Sequence, residues 1–314
     1  MADTEKIKVI AVVGPTAIGK TALSVELAKK LNGEIISCDS MQVYRQMDIG
    51  TAKVSEEERQ GIPHYLLDRQ NYDEPYNVKI FQEACREAIR QIHDKGRTVI
   101  LCGGTGLYLK AALYDYAFSE EEPDEKLSQE LESLSNEELW QRLEKLDPKA
   151  LEKIHPNNRK RLIRALQIAG SGRIKSEEEA RQEHKPLYDV LFLGLEADRE
   201  LIHERIARRV DIMFDEGLPE EVRRLFSNPQ TWDYTSFQGI GYKEFRPWLE
   251  GTASLEEVKE KIVVHTRQYA KRQFTWFRNQ MPVRWFDMHE REKAIMEAED
   301  FIHGQSKNGS ADRA

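Results

Sequence analysis

Lys8-Val9-Ile10-Ala11-Val12-Val13-Gly14-Pro15-Thr16-Ala17-Ile18-Gly19-Lys20-Thr21 is the stretch on which the reading of the chain turns. Its first half is a short apolar strand, and its second half fits the phosphate-loop pattern G-x-x-x-x-G-K-[ST]. Gly14 and Gly19 allow the backbone to turn tightly, so that successive N–H groups of residues 14–21 can point at phosphate oxygens. Lys20 can reach an outer phosphate, and the Thr21 hydroxyl is placed to bind Mg²⁺. A helix follows, with Leu23, Leu27, Ala28 and Leu31 on its apolar face and its positive dipole end toward the anion. A strand, a glycine loop and an amphipathic helix in that order imply an α/β chain that binds a di- or triphosphate with magnesium.

Working outward, Ile35 to Cys38 reads as a buried parallel strand, which places Asp39 and Ser40 at its carboxyl end. Ligands bind along that edge of open α/β sheets. Asp39 can act there as a magnesium ligand, as a general base or merely as a helix cap. Pro63 to Asp68 forms another short strand, a helix runs from about Asn77 to Lys95, and the strand from Thr98 enters the glycine loop Gly103-Gly104-Thr105-Gly106. That strand ends in no acid, so there is no ordinary Walker B carboxylate. No N-K-x-D motif is present, which counts against a GTPase.

The composition shifts near Phe118. Between Ser119 and Ala150 there are eleven acidic residues against four basic ones, with leucines at helical spacing (Leu127, Leu131, Leu134; Leu139, Leu143, Leu146). This reads as an inserted helical subdomain with a solvated face. The chain then turns basic, and a helix there brings Lys160, Arg161 and Arg164 together, either as a phosphate-backbone surface or for solubility. Val190 to Leu195 returns to strand, and the next helix carries Arg205, Arg208 and Arg209, a type of side chain that suits developing phosphate charge. From Lys261 to Phe286 six basic residues and no acid alternate with six aromatics, among them Tyr269, Trp276 and Trp285. That pattern suits RNA, or else a C-terminal helix whose aromatics pack inward.

The 314 residues, 39% apolar and 32% charged, imply a soluble, helix-rich globular protein. With a net charge of −8, any nucleic-acid surface must be a local basic patch. Three widely spaced cysteines argue against a disulfide framework or a zinc site and suit a cytoplasmic protein. The start of the chain reads as neither a signal peptide nor a membrane span. The fold class is therefore α/β: a P-loop NTPase-like parallel sheet flanked by helices, with an inserted all-helical subdomain and C-terminal helices. The expected limits are 1–117 for the first part of the core, 118–186 for the insertion, 187–303 for the second part and 304–314 for a disordered tail.

Seven runs, spread over most of the chain, resemble the bacterial tRNA dimethylallyltransferase (tRNA isopentenyltransferase) family. They are GPTAIGKT (14–21), the segment Asp39 to Tyr44, DIGTAK (48–53), GGTGLYL (103–109), Arg161 to Leu166, IGYKE (240–244) and TRQYAKRQFTWF (266–277). The zinc-finger extension of eukaryotic relatives is absent from this sequence.

The resemblance implies that a dimethylallyl group moves from its diphosphate to N6 of the adenine just 3′ of the anticodon, position 37. In that chemistry Asp39 orients the amine and takes its proton. Lys20, Mg²⁺ at Thr21 and Arg209 neutralise the leaving diphosphate. Arg209 is preferred to its neighbours because it matches the family's diphosphate-contacting arginine.

The catalytic set is thus Asp39, Thr21 and Arg209. The diphosphate is held by Gly14, Pro15, Thr16, Ala17, Ile18, Gly19, Lys20 and Thr21. The tRNA is met by Asp39, Ser40, Met41, Gln42, Thr105, Lys160, Arg161, Arg164, Lys271 and Arg272. The expected partners are tRNA and dimethylallyl diphosphate, the cofactor is Mg²⁺, and the protein is expected to be monomeric and unattached to membrane. Three other readings are an adenylate isopentenyltransferase, a small-molecule P-loop kinase and a nucleotide-switched RNA-binding protein. None of them has a use for the basic, aromatic C-terminal stretch, except the last, which leaves Asp39 without a role.

Overall fold

A computed structural model describes residues 6–118, 124–171, 174, 176 and 184–304. The strands are β1 (Lys8–Val13), β2 (Gly33–Ser37), β3 (His64–Tyr65), β4 (Thr98–Cys102), β5 (Asp189–Glu196) and β6 (Val283–Asp287). The helices are α1 (Lys20–Lys30), α2 (Glu56–Arg59), α3 (Val78–Asp94), α4 (Gly106–Leu113), α5 (Glu125–Ser133), α6 (Asn136–Leu146) and α7 (Arg159–Gly170). After β5 come α8 (Arg199–Asp215), α9 (Leu218–Phe226), α10 (Arg246–Leu249), α11 (Leu255–Gln280) and α12 (Arg291–His303).

The six strands form one sheet in the order β3-β2-β4-β1-β5-β6, and every pairing is parallel. Residues of β1 alternate between two apolar layers: Val9, Ala11 and Val13 pack on one face, Ile10 and Val12 on the other. The same alternation splits Ile35 from Ile36 in β2 and Ile100 from Val99 and Leu101 in β4. A sheet covered on both faces accounts for the unbroken apolar runs in the sequence. Because all strands run the same way, the phosphate loop, Asp39 and the Gly103–Gly106 loop leave the sheet at one edge.

Local signals set the ends of the helices. Asn77 caps α3 by accepting from Lys79 N (2.9 Å) and Ile80 N (3.0 Å). Ser254 and Glu257 form a reciprocal capping box at the start of α11. Two readings are corrected. The strand expected from Pro63 to Asp68 shrinks to two residues, because Leu66 and Asp68 take positive φ (62° and 52°) and turn the chain away. The basic, aromatic segment is not all helix: after Met281 it becomes β6, which pairs with β5.

The chain divides into two compact units, Met1–Tyr114 with Pro186–Ala314, and Asp115–Lys185. The sequence placed the insertion at 118–186. The second unit has its own core, in which Leu131, Leu139, Leu143, Leu162 and Leu166 are buried. Arg159 binds the carbonyls of Leu131, Glu132 and Leu134, and Asp147 (2% exposed) accepts from Ala150 N and from Ser176 N and Oγ. Leu146, expected on the apolar stripe, is exposed at the end of α6. Most of the polar loop read between Gly170 and His184 lies outside the described residues, as does the tail from 305. No helix among the described residues is long and apolar enough to cross a membrane.

Candidate functional site

The phosphate loop has the geometry its glycines require. Gly14 has φ +135°, and a Cβ there would lie 2.8 Å from Leu195 O. Gly19 (φ +101°) occupies the N-cap of α1 and supplies no side-chain cap, so the first amides of the helix remain for a ligand. Lys20 Nζ donates to Pro15 O at 2.7 Å. Burial pushes the Lys20 pKa down to about 8; Cys102 raises it, Arg209 lowers it further and Asp39 raises it. A bound anion removes that penalty by supplying the opposite charge.

Three further residues frame the loop: Arg205, which the sequence offered as a phosphate-facing arginine, and Arg291 and Gln273, which it did not single out. Arg205 Nε donates to Ala17 O at 2.7 Å and so braces the loop rather than facing a phosphate. Arg291, from the start of α12, sets its guanidinium against the loop: a Cβ on Gly19 would lie 2.9 Å from Nη2. Gln273 of α11 is 6% exposed; its Oε1 accepts from Thr16 N (2.9 Å) and its Nε2 donates to Gly104 O (3.0 Å). This one amide ties the phosphate loop to the Gly103–Gly106 loop. Only its place in the TRQYAKRQFTWF run could have pointed to it.

Beside the loop lies a cavity of about 400 Å³. Asp39, Ser40 and Met41 form one wall, and Thr16 and Arg209 line it as well. On α8, Ile206, Val210 and Met213 share the face of Arg209, at helical spacing. Ile262, Thr266 and Tyr269 do the same on α11, and Tyr76 and Tyr108 add aromatic wall. The cavity therefore joins an apolar lining to one carboxylate and a few cations.

Asp39 caps no helix, since none begins there. Its Oδ1 accepts from Met41 N (2.8 Å) and Gln42 N (3.3 Å), a local turn that fixes the carboxylate, while the residue lines the cavity. Burial lowers the Arg209 pKa, and the charge of Asp39 works against that shift. The Tyr269 pKa is pushed up to about 12 by burial and then by Asp39, so its hydroxyl keeps its proton and can donate.

The other expected contacts fall at varied places. Thr105 occupies the N-cap position of α4 with its Oγ1 buried near the hydroxyl of Tyr269, a residue of the cavity wall, and does not itself line the cavity. Gln42 uses its Nε2 on Thr51 O (3.3 Å) and Ala52 O (3.2 Å), so its amide clamps the next loop. Arg272 lines the cavity and also a groove of about 560 Å³ along α11, where Lys271, Gln268 and Trp276 join it. In the second unit, Lys160, Arg161 and Arg164 are all exposed on α7, opposite its buried Leu162, Ile163, Ala165 and Leu166. The aromatics of the basic segment mostly pack: Phe277 is buried, and Phe274 stacks on Trp285 (5.4 Å) under the guanidinium of Arg278.

Among the described residues no three His, Cys, Asp or Glu side chains gather as metal ligands. Two candidate oxygen donors at the loop are the Thr21 hydroxyl, next to Lys20 at the start of α1, and the Asp39 carboxylate, whose charge acts on Lys20. Such a sparse donor set fits Mg²⁺, which takes most of its ligands from substrate phosphates and water.

A parallel sheet with a glycine-rich phosphate loop after its central strand, and a mixed apolar and charged cavity beside it, defines a P-loop α/β protein. Within that class the chain belongs to the IPP transferase family, whose model matches residues 42–280. It is 47% identical over 298 residues to a tRNA dimethylallyltransferase of Bacillus cytotoxicus, covering 93% of this chain and 94% of the relative. The Bacillus cereus counterpart is 48% identical over the same length, with 93% and 94% covered. The crystal structure of a tRNA delta(2)-isopentenylpyrophosphate transferase from Staphylococcus epidermidis aligns with a TM-score of 0.71 at 43% identity, covering 96% of this chain and 100% of that one. A eukaryotic dimethylallyltransferase acting on tRNA aligns with a TM-score of 0.84 at 34% identity, covering 95% and 80%.

Proposed function

We propose that this protein transfers the dimethylallyl group of dimethylallyl diphosphate to N6 of adenine 37 in tRNA and releases diphosphate. The observation that carries the reading is a cavity lined by Asp39, Arg209 and an apolar wall, which shares Arg272 with the cationic groove on α11. An apolar lining suits a five-carbon chain, and a groove with Lys271, Arg272 and Trp276 suits an RNA strand.

In the reaction the bond from the prenyl C1 to the diphosphate oxygen breaks as N6 bonds to C1. The exocyclic amine is a poor nucleophile, because its lone pair is delocalised into the ring. Asp39 orients it and takes the proton it loses, with the Met41 and Gln42 amides holding the carboxylate in place. Lys20, Arg209 and the loop amides receive the charge that develops on the leaving group, with Arg291 beside Gly19. Mg²⁺, held by Thr21 and the diphosphate, would supply further charge neutralisation there. The adenine must leave its stack to reach Asp39, at a cost of about a few kcal/mol that contacts to the rest of the loop offset.

The test is transfer of label from dimethylallyl diphosphate, with Mg²⁺ present, to unmodified tRNA in one reaction and to AMP or ATP in another. Label in tRNA alone is the expected result. Label in the free nucleotide alone would make the protein an adenylate isopentenyltransferase, and ATP consumption without transfer would make it a kinase or a switch.

A further inference from the structure

Glu221 of α9 is 3% exposed and carries a carboxylate that no cation pairs with among the described residues. Its compensation comes from dipoles. Oε2 accepts from Asp48 N and Ile49 N, both at 2.9 Å, and Oε1 accepts from Gly50 N (3.0 Å) and the Tyr242 hydroxyl (2.7 Å). Three successive amides around one anion form a nest, and here the anion is a side chain from a distant part of the fold. The fit leaves no slack. A Cβ on Gly50 would lie 2.5 Å from Tyr242 Cζ, and one on Gly241 (φ +98°) would lie 3.1 Å from Gly50 O.

The segment held in this way leads to the candidate base. Gly50 and Thr51 line the same cavity as Asp39. The carbonyls of Thr51 and Ala52 take both bonds of the Gln42 Nε2 group, and Gln42 N in turn donates to Asp39 Oδ1. A hydrogen-bonded path therefore runs from Glu221 through residues 48–52 and Gln42 to the carboxylate.

We infer that Glu221 is a positioning residue for the transfer step: by anchoring residues 48–50 it fixes, through Gln42, the placement of the Asp39 carboxylate in the cavity. The inference rests on the reading of Asp39 as the base. All four partners of Glu221 donate, so only an acceptor fits. Gln at this position would turn an –NH₂ toward N–H or O–H donors, although its shape is the same.

The experiment compares Glu221→Gln, Glu221→Asp, Gln42→Ala, the Glu221→Gln/Gln42→Ala double variant and Asp39→Asn, with kcat expressed per site able to bind inorganic diphosphate. The normalisation removes any loss that is only misfolding. Glu221→Gln and Gln42→Ala are expected to lower kcat by about tenfold each, with less than a twofold change in KM for dimethylallyl diphosphate. The double variant is expected to be no worse than the poorer single, and Glu221→Asp, which keeps an acceptor, should recover part of the loss. Wild-type kcat in Glu221→Gln, or fully additive losses in the double variant, would overturn the inference. Should Glu221→Gln fail to fold, Gln42→Ala and Glu221→Asp decide by the same kcat criterion, wild-type kcat in both overturning the path. Asp39→Asn separates the two layers: if it keeps wild-type kcat, the base assignment itself falls, whereas its loss beside an unimpaired Glu221→Gln removes the positioning role alone.

Discussion

The two units of the chain use cations in opposite ways. At the ligand edge of the sheet, Lys20 and Arg209 are half-buried, burial lowers the pKa of each while the charge of Asp39 opposes it, and the Lys20 ammonium is bonded to the loop's own carbonyl. On α7 of the second unit, Lys160, Arg161 and Arg164 stand exposed, while Arg159 alone is used on backbone carbonyls. A desolvated cation is costly to hold, so it acts at one place and its removal is felt in full. A solvated one is screened and contributes by number more than by position. The two surfaces should therefore respond to mutation, pH and salt in different ways.

The largest effect is expected at Asp39. Asp39→Ala should lower kcat by about 10²- to 10⁴-fold, the range for losing a general base, with diphosphate binding little changed in calorimetric titration. Turnover close to wild type would show that the turn it makes with Met41 and Gln42 is its whole role.

The next is a pH effect at Lys20. Its pKa in the free protein is about 8, so it is charged below that value and neutral above it. Affinity for inorganic diphosphate should hold from pH 7 to 8 and then fall by roughly tenfold per unit as the proton is lost. The folded value also lies below the ordinary 10.5, so the unfolded chain binds more protons between the two, and the ligand-free protein gains stability as pH rises from about 8 to 10.5. Lys20→Arg should flatten both trends, and an unflattened curve would assign the titration to another group.

A smaller effect belongs to the second unit. Arg161→Glu with Arg164→Glu should weaken tRNA binding and reduce the slope of log K against log salt by about one per side chain, leaving diphosphate affinity as it was. An unchanged slope would return this helix face to solubility. The smallest is Arg291→Ala, a half-buried cation beside Gly19, for which a rise of about two- to fivefold in the diphosphate dissociation constant is expected, the range of partly solvated ion pairs. No change there would leave Arg291 as a packing group.

Much of this was legible because some chemistry is local. Gly14 and Gly19 must be glycine for reasons of φ and close approach that a short pattern records, and the Asn77 cap lies two and three residues from its partners. The shortened β3 was not legible, since nothing in Leu66 or Asp68 announces a positive φ. The aromatics of residues 261–286 left two readings open, because a tryptophan that stacks on a base and one that packs beside Gly194 have the same letter.

The sequence by itself determined the strand, loop and helix that bind phosphate, the alternation that buries a parallel sheet on both faces, and the acid at the end of β2. Each of these depends on neighbours along the chain. Only the tertiary structure decided that Gln273 joins two loops, that Arg291 reaches Gly19, and that Glu221 holds residues 48–50. Those contacts join segments far apart in sequence, where hydrogen-bond partners are chosen by the packing of helices on a sheet. A buried glutamate in the run Pro219-Glu220-Glu221-Val222 reads like its exposed neighbour until the fold shows which of the two faces inward.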